Sequence, residues 1–458
     1  MATGPRFIDR IARAVAHIFY RVDVAGAVPA SGPVLLLPNH PNALLDPALI
    51  MATAGRPVRF LAKSTLFTGP FSPLLRAADA IPVYRRQDGA DMDRNEHTFA
   101  HVHGALGRGE AVCIFPEGIS HSSGRLEPLR TGAARMALSA QSAGVGVVLV
   151  AVGINLEKKA TFRSRATVAY GQSFSVPASQ GVTAGEVKSV TSAIAAHMRR
   201  VLVEADPRTD AGVVERIDRL YRSERTVVDD PLETVARRRI IAEALRRMRA
   251  ERPDWYEGAL VQFRRYDDRL RRFGLDDRTL DWDISASAAR AFVFRELPAA
   301  LFLGPVAALA LVVFVVPYAL TSIASRVVRE MDVTATAKVV AGAVIYSIWT
   351  ACVAGAAWWL IGPIVALITI LGLPLLAIAG LFAIERETSA WKTARSWLSL
   401  RGARPRTRSA LRRRRAELAD VLEQVREKTG TLNFSVSVER EGLPTDVAED
   451  GAHHLRKS

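Results

Sequence analysis

The chain has 458 residues, of which 49% are hydrophobic, and a formal net charge of +15 at pH 7. Its only two cysteines exclude a disulfide framework and suit a reducing cytoplasm. The apolar residues concentrate between positions 297 and 384, which indicates a membrane protein with a large water-facing part. The positive charge then suits anionic lipid headgroups better than nucleic acid.

Residues 6–22 carry apolar side chains at helical spacing, interrupted by four arginines, and predict a basic amphipathic helix. This helix could lie on a membrane surface or pack on its own domain. The sequence alone leaves both alternatives open.

Residues 1–205 alternate short apolar, β-rich runs with helix-like segments. This pattern predicts an α/β domain in which a mostly buried sheet is covered by helices. The predicted strands are 33–38, 80–84, 111–115, 145–154 and 166–171, and the helices between them include 91–107 and 131–142.

The regions on either side of the membrane stretch are rich in charge. Residues 206–296 predict a charged helical region that serves as a cap or as a linker. Residues 385–458 predict a basic helix held to acidic headgroups, followed by a disordered tail. We favour lipid over nucleic acid as the partner of this helix because no RNA-binding signature accompanies the arginines.

Residues 297–384 hold three candidate transmembrane or re-entrant segments, at 298–320, 339–361 and 363–384. The last two form either two spans with a very tight turn or a hairpin that dips in and returns. Because the arginine-rich tail favours the cytoplasmic side, we expect an even number of crossings or one re-entrant piece.

The stretch "LLLPNHPNALLDP", residues 35–47, places His40 and Asp46 on either side of a break after a predicted core strand. One interpretation is catalytic, with His40 as a base and Asp46 as its orienting partner. The other is a helix N-terminus capped by Asn39 or Asn42, whose His and Asp face water. On a regular helix a six-residue separation puts two side chains on different faces, so the catalytic interpretation requires His40 to precede the helix.

Two further motifs follow predicted strands. Arg85 lies at the end of the strand in "IPVYRR", and Glu117 and Gly118 lie in "FPEG" after the next strand. Because ligands bind at the carboxyl ends of strands in open α/β domains, we expect these motifs to converge with His40 on one rim.

The order "NHPNALLDP … IPVYRR … FPEG … LVAVGINL" resembles the phospholipid/glycerol acyltransferase family (PlsC-like lysophosphatidate and glycerol-3-phosphate acyltransferases) over residues 20–175. The resemblance implies that His40 and Asp46 are catalytic. It implies that Arg85 holds the acceptor phosphate, and that Glu117 and Gly118 bind the acceptor, with Asn39 of the first motif beside them.

The sequence departs from the family pattern at two places. Five residues separate His40 from Asp46 instead of the usual four, a spacing that resembles the fungal-type glycerol-3-phosphate and dihydroxyacetone-phosphate acyltransferases. The third motif lacks its usual arginine after Glu-Gly. Arg125 or Arg130 could replace its phosphate contact, and Arg130 stands where the family often has lysine.

The resemblance implies a membrane-attached O-acyltransferase of phospholipid biosynthesis. Such an enzyme moves a fatty acyl group from acyl-CoA or acyl carrier protein to a hydroxyl of glycerol-3-phosphate or 1-acylglycerol-3-phosphate, without a metal, an organic cofactor or a covalent intermediate. We expect it in the cytoplasmic (inner) membrane with its catalytic domain facing the cytoplasm. The alternatives are an acyltransferase for another lysophospholipid or membrane acceptor, and a non-catalytic membrane scaffold with the same fold.

Overall fold

The computed structural model describes residues 7–69, 72–84, 95–177, 182–206, 210–225, 230–326, 334–402 and 405–428, so the predicted disordered tail lies outside the described residues. Within this part of the chain, eight strands form one mixed sheet. The strands are β1 (Tyr20–Ala25), β2 (Val34–Pro38), β3 (Val58–Lys63), β4 (Ile81–Val83), β5 (Ala111–Cys113), β6 (Val148–Leu156), β7 (Ser164–Tyr170) and β8 (Phe174–Ser175).

The strand order is β1-β7-β6-β2-β5-β3-β4, and β8 also pairs with β6. The pairs that β6 forms with β7 and β8 are antiparallel, and the others are parallel. Leu36 of β2 lies opposite Cys113 of β5 and opposite Val150 of β6. Since these three strands run in the same direction, their carboxyl ends meet at one edge, as the motif positions predict.

Helices cover both faces of the sheet. They are α1 (Phe7–Phe19), α2 (Leu45–Thr53), α3 (Ser72–Ala77), α4 (Asn95–Gly107), α5 (Gly132–Ser142) and α6 (Ala184–Val201). Side chains alternate along β2, so Leu35 packs in one core with α4, α5 and α6, and Leu36 packs in the other with α1 and α2. The predicted α/β fold, with a mostly buried sheet covered by helices, is confirmed.

The N-terminal segment differs from its prediction at its end. The helix stops at Phe19, and the next residues form β1, which pairs with β7. Ile8 and Ala16 of α1 are buried against the domain, whereas Phe7 is 77% exposed. Packing on its own domain is therefore confirmed for one face of α1, while an apolar edge faces outward.

The charged helical region contains α7 (Ala211–Arg225), α8 (Pro231–Glu251) and α9 (Pro253–Arg272). These helices share a hydrophobic core with the basic helix of the tail, α13 (Pro405–Lys428). The side chains of α13 in this core include Leu411 and Leu418. Arg415 of α13 is buried and bonds Glu224 at 2.6 Å. Arg415 therefore joins α13 to α7 inside the protein, a contact that the sequence did not predict.

Three helices are long and apolar enough to cross a membrane: α10 (Ala286–Arg326), α11 (Thr334–Leu360) and α12 (Pro363–Gly402). They pack on one another, and at Gly380 an added methyl group would overlap the side chain of Ala310. Small residues allow such close helix contacts in membranes.

The helices α11 and α12 form a hairpin whose turn contains Gly362, with a φ of +134°. Lys338, near the start of α11, donates to the carbonyl of Ala160 at 2.6 Å. Glu385 of α12 accepts two hydrogen bonds from Arg163, at 2.6 and 2.8 Å. Both arms, each about 33 Å long, therefore return to the same loop of the α/β domain, an arrangement that fits the two-span and the hairpin alternatives alike.

Gly153 of β6 lies against the C-terminal end of α6, and an added Cβ there would overlap the backbone carbonyl of Val201. We expect Gly153→Ala to destabilise the fold by about 1–3 kcal/mol, because backbone atoms must shift to admit the methyl group. Gly146→Ala is the control, since nothing lies within 4 Å of its added Cβ. Thermal unfolding in detergent measures both, and equal melting temperatures for the two variants would contradict this packing.

Candidate active site

His40 lies in the loop that follows β2, as its spacing from Asp46 requires. Pro38 ends the strand and Leu45 begins α2. Between them Ala43 has a φ of +41°, which turns the chain out of the helical path. This break lets His40 fold back over the first turn of the helix.

His40 and Asp46 form a direct hydrogen bond, 2.8 Å from Nδ1 to Oδ2. The Asp46 carboxylate is fully buried, whereas the His40 side chain is 19% exposed. The backbone N–H of Asn42 donates to the same carboxylate oxygen at 2.6 Å. The ring of Phe115 stacks on the imidazole with 4.0 Å between ring centroids. The imidazole is thus held both at its edge and on its face.

Burial raises the pKa of Asp46 above its ordinary value, and the hydrogen bonds from His40 and from the Asn42 amide oppose this rise. With the carboxylate ionised, Nδ1 of His40 carries the proton in their shared hydrogen bond. That leaves Nε2, for which the described part of the chain provides no hydrogen-bond partner. The geometry is that of an imidazole base oriented by a carboxylate.

The capping alternative is wrong. Leu44 precedes the first residue of α2, and no side chain caps the helix. Asn39 instead joins both ends of its amide to the backbone of Ile154 in β6, at 2.7 and 3.2 Å. Asn42 donates from its side chain to the Tyr20 hydroxyl at 2.5 Å. Both asparagines therefore hold the His40 loop to neighbouring strands.

The third motif lies directly beside this loop. Gly118 has a φ of +74°, a conformation that favours glycine, and the chain turns there. The Glu117 side chain is buried and bonds Nε2 of His121. The backbone N–H of His121 donates to the carbonyl of His40 at 3.1 Å. Glu117 is thus linked to His40 through a single intervening residue, His121.

Arg130 and Arg85 are the two arginines predicted to bind the acceptor phosphate. Arg130 donates from its backbone N–H to Pro116 at 2.7 Å, and its Cγ would lie 3.2 Å from a Cβ added at Gly118. This arginine therefore lies against the glycine turn. Arg85 lies outside the described residues.

Sequence reasoning missed several residues that build the site. Lys159 donates from Nζ to the carbonyl of Pro41 at 2.7 Å, and Tyr20 donates to the carbonyl of Lys159. Ser120 accepts a hydrogen bond from the Ala43 N–H at 3.1 Å. For His121 a signal existed, because it follows the Glu-Gly pair at the place where the motif departs from its usual form. For Lys159 and Tyr20 the sequence holds no comparable signal.

A buried carboxylate that orients an imidazole, at the carboxyl edge of an α/β sheet and beside an arginine, defines a site suited to acyl transfer to a hydroxyl. Residues 21–155 match the family model described as Acyltransferase. The part of the chain that holds this site, residues 21–155, is therefore similar to the acyltransferase family.

Curated relatives include two proteins of Saccharomyces cerevisiae. Glycerol-3-phosphate O-acyltransferase 1 is 29% identical over 189 residues, 39% of this chain and 23% of that protein. Glycerol-3-phosphate O-acyltransferase 2 is 37% identical over 94 residues, 20% of this chain and 13% of that protein. The chain thus spans less than a quarter of the length of these relatives.

Among solved structures, the chain is similar to the 1-acyl-sn-glycerophosphate acyltransferase PlsC from Thermotoga maritima. The identity is 17% and the TM-score 0.31, over 42% of this chain and 76% of that one.

The His121–Glu117 pair predicts a pH dependence of stability. Burial alone would lower the pKa of His121, but the hydrogen bond and charge of Glu117 outweigh it and raise the pKa above 6.5. A histidine whose pKa is higher in the folded state than in the unfolded state stabilises the fold at pH values below the unfolded pKa. This stabilisation is lost as the pH rises through the folded pKa. We expect His121→Gln to lower the melting temperature at pH 6 more than at pH 8.5.

His103→Gln is the matched control, for which we expect the opposite pH dependence of the melting temperature. His103 bonds Ser139 at 2.9 Å, and burial lowers its pKa, so its contribution to stability is lost as the pH falls. Melting temperatures of both variants across pH 5.5–9 measure the difference. A His121→Gln effect that grows with rising pH would contradict the proposed protonated pair.

Proposed function

We propose that this protein transfers a fatty acyl group from the thioester of acyl-CoA or acyl carrier protein to a hydroxyl of a glycerol-phosphate acceptor. The observation that carries the proposal is the hydrogen bond between His40 and the fully buried Asp46 within an acyltransferase-family domain. A buried carboxylate is costly unless it has partners, and here two donors meet one of its oxygens.

In the proposed reaction, Nε2 of His40 removes the proton from the acceptor hydroxyl as its oxygen attacks the thioester carbonyl. The C–O ester bond forms and the C–S bond breaks. The departing thiolate then takes the proton from the imidazolium. Asp46 keeps the Nδ1 proton in place and stabilises the positive charge on His40 during the transfer. The substrate itself is the nucleophile, so the chain needs no serine or cysteine for the reaction.

We assign acceptor binding to the residues around the third motif. Arg130 and Arg85 are proposed to bind the phosphate, because a guanidinium matches two phosphate oxygens at once. Glu117 is assigned by its position, since its side chain bonds His121 and the backbone N–H of His121 donates to the carbonyl of His40. Gly118 leaves the space in which Arg130 lies. Asn39, which bonds the backbone of Ile154 through both ends of its amide, is proposed to complete the acceptor site.

Glycerol-3-phosphate is the preferred candidate acceptor, with 1-acylglycerol-3-phosphate second. The five-residue spacing between His40 and Asp46 and the names of the two yeast relatives support this order. Another lysophospholipid remains the alternative acceptor.

Membrane attachment is proposed through the hairpin of α11 and α12, with the catalytic domain on the cytoplasmic side of the cytoplasmic membrane. Both arms of the hairpin return to residues 160–163, and Phe162 between these contacts is 41% exposed. Phe7 and Ile18 of α1 are also exposed apolar residues. Together with the net charge of +15, these side chains suit a surface of anionic headgroups.

The dyad is tested by acyl transfer in membranes that carry the protein. Labelled acyl-CoA and acyl carrier protein are offered with glycerol-3-phosphate and lysophosphatidate separately. We expect His40→Ala and Asp46→Asn each to lower kcat by about 10²–10⁴-fold, because the base or its orientation is lost. His101→Ala, at an exposed position on α4, is the control and keeps its activity.

Two outcomes would contradict the proposal at different points. Transfer that survives His40→Ala would exclude His40 as the base. A folded protein that transfers an acyl group from neither donor to either acceptor would favour another acceptor or the non-catalytic scaffold.

A further inference from the structure

The loop between β6 and β7, residues 157–163, contacts both the catalytic loop and the membrane helices. We call it the β6–β7 loop. It follows the strand that carries Ile154, the partner of Asn39. The family motifs end before it, and the function proposed above assigns it no role in catalysis.

On one side of this loop, Lys159 binds two active-site loops at once. Its Nζ donates to the carbonyl of Pro41 at 2.7 Å, to the hydroxyl of Ser122, and to the carbonyl of His121 at 3.4 Å. Pro41 directly follows His40, and Ser122 follows the third motif. The Lys159 ammonium therefore bridges the dyad loop and the Glu117 loop.

The backbone of Lys159 reaches the dyad by a second route. Its carbonyl accepts hydrogen bonds from the Tyr20 hydroxyl and, at 3.3 Å, from the Asn42 side chain. Asn42 in turn donates from its backbone to Asp46. Both the side chain and the backbone of Lys159 thus hold the residues that flank His40 and Asp46.

On the other side, the same loop carries the anchors of the hairpin. Lys338 of α11 bonds the carbonyl of Ala160, the residue directly after Lys159. Glu385 of α12 pairs with Arg163 through both carboxylate oxygens. A bidentate arginine–carboxylate pair fixes direction as well as distance.

Hydrogen bonds within the loop connect its two ends. Thr161 donates from its backbone to the carbonyl of Lys158 at 3.0 Å, and Ser164 donates from its hydroxyl to the same carbonyl at 2.7 Å. Arg163 has a φ of +60°. These bonds connect the Arg163 end of the loop to Lys158, the residue directly before Lys159.

We propose that Lys159 is a positioning residue for acyl transfer, and that the β6–β7 loop couples the seating of the membrane hairpin to the geometry of the His40 loop. The catalytic part of this inference rests on the proposed function. The rate of such a reaction is sensitive to small displacements of the base, so a hairpin that is not seated lowers kcat. The protein then acts at full rate only when its hairpin is anchored.

Lys159 is tested first, in full-length protein reconstituted into vesicles of phosphatidylethanolamine and phosphatidylglycerol. We expect Lys159→Met to lower kcat at least tenfold while the KM for donor and acceptor stays within about threefold, since no substrate contact is lost. Lys159→Arg, which retains a cationic donor, should recover part of kcat. Equal losses in the Met and Arg variants, or a loss confined to KM, would overturn the positioning role.

The coupling is tested with two adjacent residues of α12. Glu385→Gln removes the charge that pairs with Arg163 and, at 3.1 Å, with the more exposed Arg21, whereas Arg386→Gln breaks a 2.9 Å pair with Glu296 that does not involve the loop. We expect Glu385→Gln to lower kcat three- to tenfold and Arg386→Gln to leave it within twofold. In the Lys159→Met background, Glu385→Gln should have a smaller effect than in the wild-type protein, because only the backbone route through Lys159 remains. Equal effects of the two variants, or effects that multiply, would overturn the coupling.

Hydrogen exchange separates a failure of the coupling from a failure of the proposed function. The His121 amide, which donates to the His40 carbonyl, reports whether the two loops are closed. Its exchange should be at least tenfold faster in Glu385→Gln and unchanged in Arg386→Gln, whether or not the protein transfers acyl groups. Unchanged exchange in Glu385→Gln would overturn the coupling. A wild-type protein without acyl transfer would contradict the proposed function alone.

Discussion

The burial of the Asp46 carboxylate is the constraint on which the rest of the site depends. A charge removed from water must have partners close to it, and the chain supplies them from His40 and from the backbone of Asn42. This requirement fixes the loop between β2 and α2, including the positive φ of Ala43. A loop in such a conformation is stable only when its surroundings hold it in place.

Those surroundings come from strands that are distant in sequence. The central position of β2, between β5 and β6, brings the third motif to one side of the His40 loop and Ile154 to the other. The parallel direction of the three strands places their carboxyl ends together. Hydrogen bonds from Asn39, His121 and Lys159 then fasten the loop to each neighbour.

The same fold places the hairpin of α11 and α12 against the β6–β7 loop, which in turn contacts the His40 loop. The arms of the hairpin meet the β6–β7 loop at Ala160 and Arg163, close in sequence to Lys159. The proposed reaction joins a fatty acyl group to a glycerol phosphate at the membrane, so the orientation of the site relative to the bilayer matters. The short β6–β7 loop connects the hairpin to the His40 loop, so few residues are needed to set this orientation.

The sequence predicted the parts of this structure that are local. The strands that carry the motifs and the position of His40 before the helix follow from short patterns around each residue. The strand β1 was missed because apolar spacing continues from α1 through Tyr20 without a glycine or proline to break it. Lys159 and Tyr20 could not be predicted, since they contact the dyad loop across more than 100 and about 20 positions of sequence, respectively. The docking of α13 depends on buried ion pairs that no spacing reveals.

The most direct test of the account asks whether the acyl group ever resides on the protein. Purified protein in vesicles is mixed with labelled acyl-CoA without acceptor, quenched in acid within one turnover, and analysed by intact mass. With His40 acting as a base on the acceptor hydroxyl, the protein carries no acyl group, and ester product forms only after acceptor is added. An acyl adduct that appears without acceptor and passes into product on its addition would contradict the account.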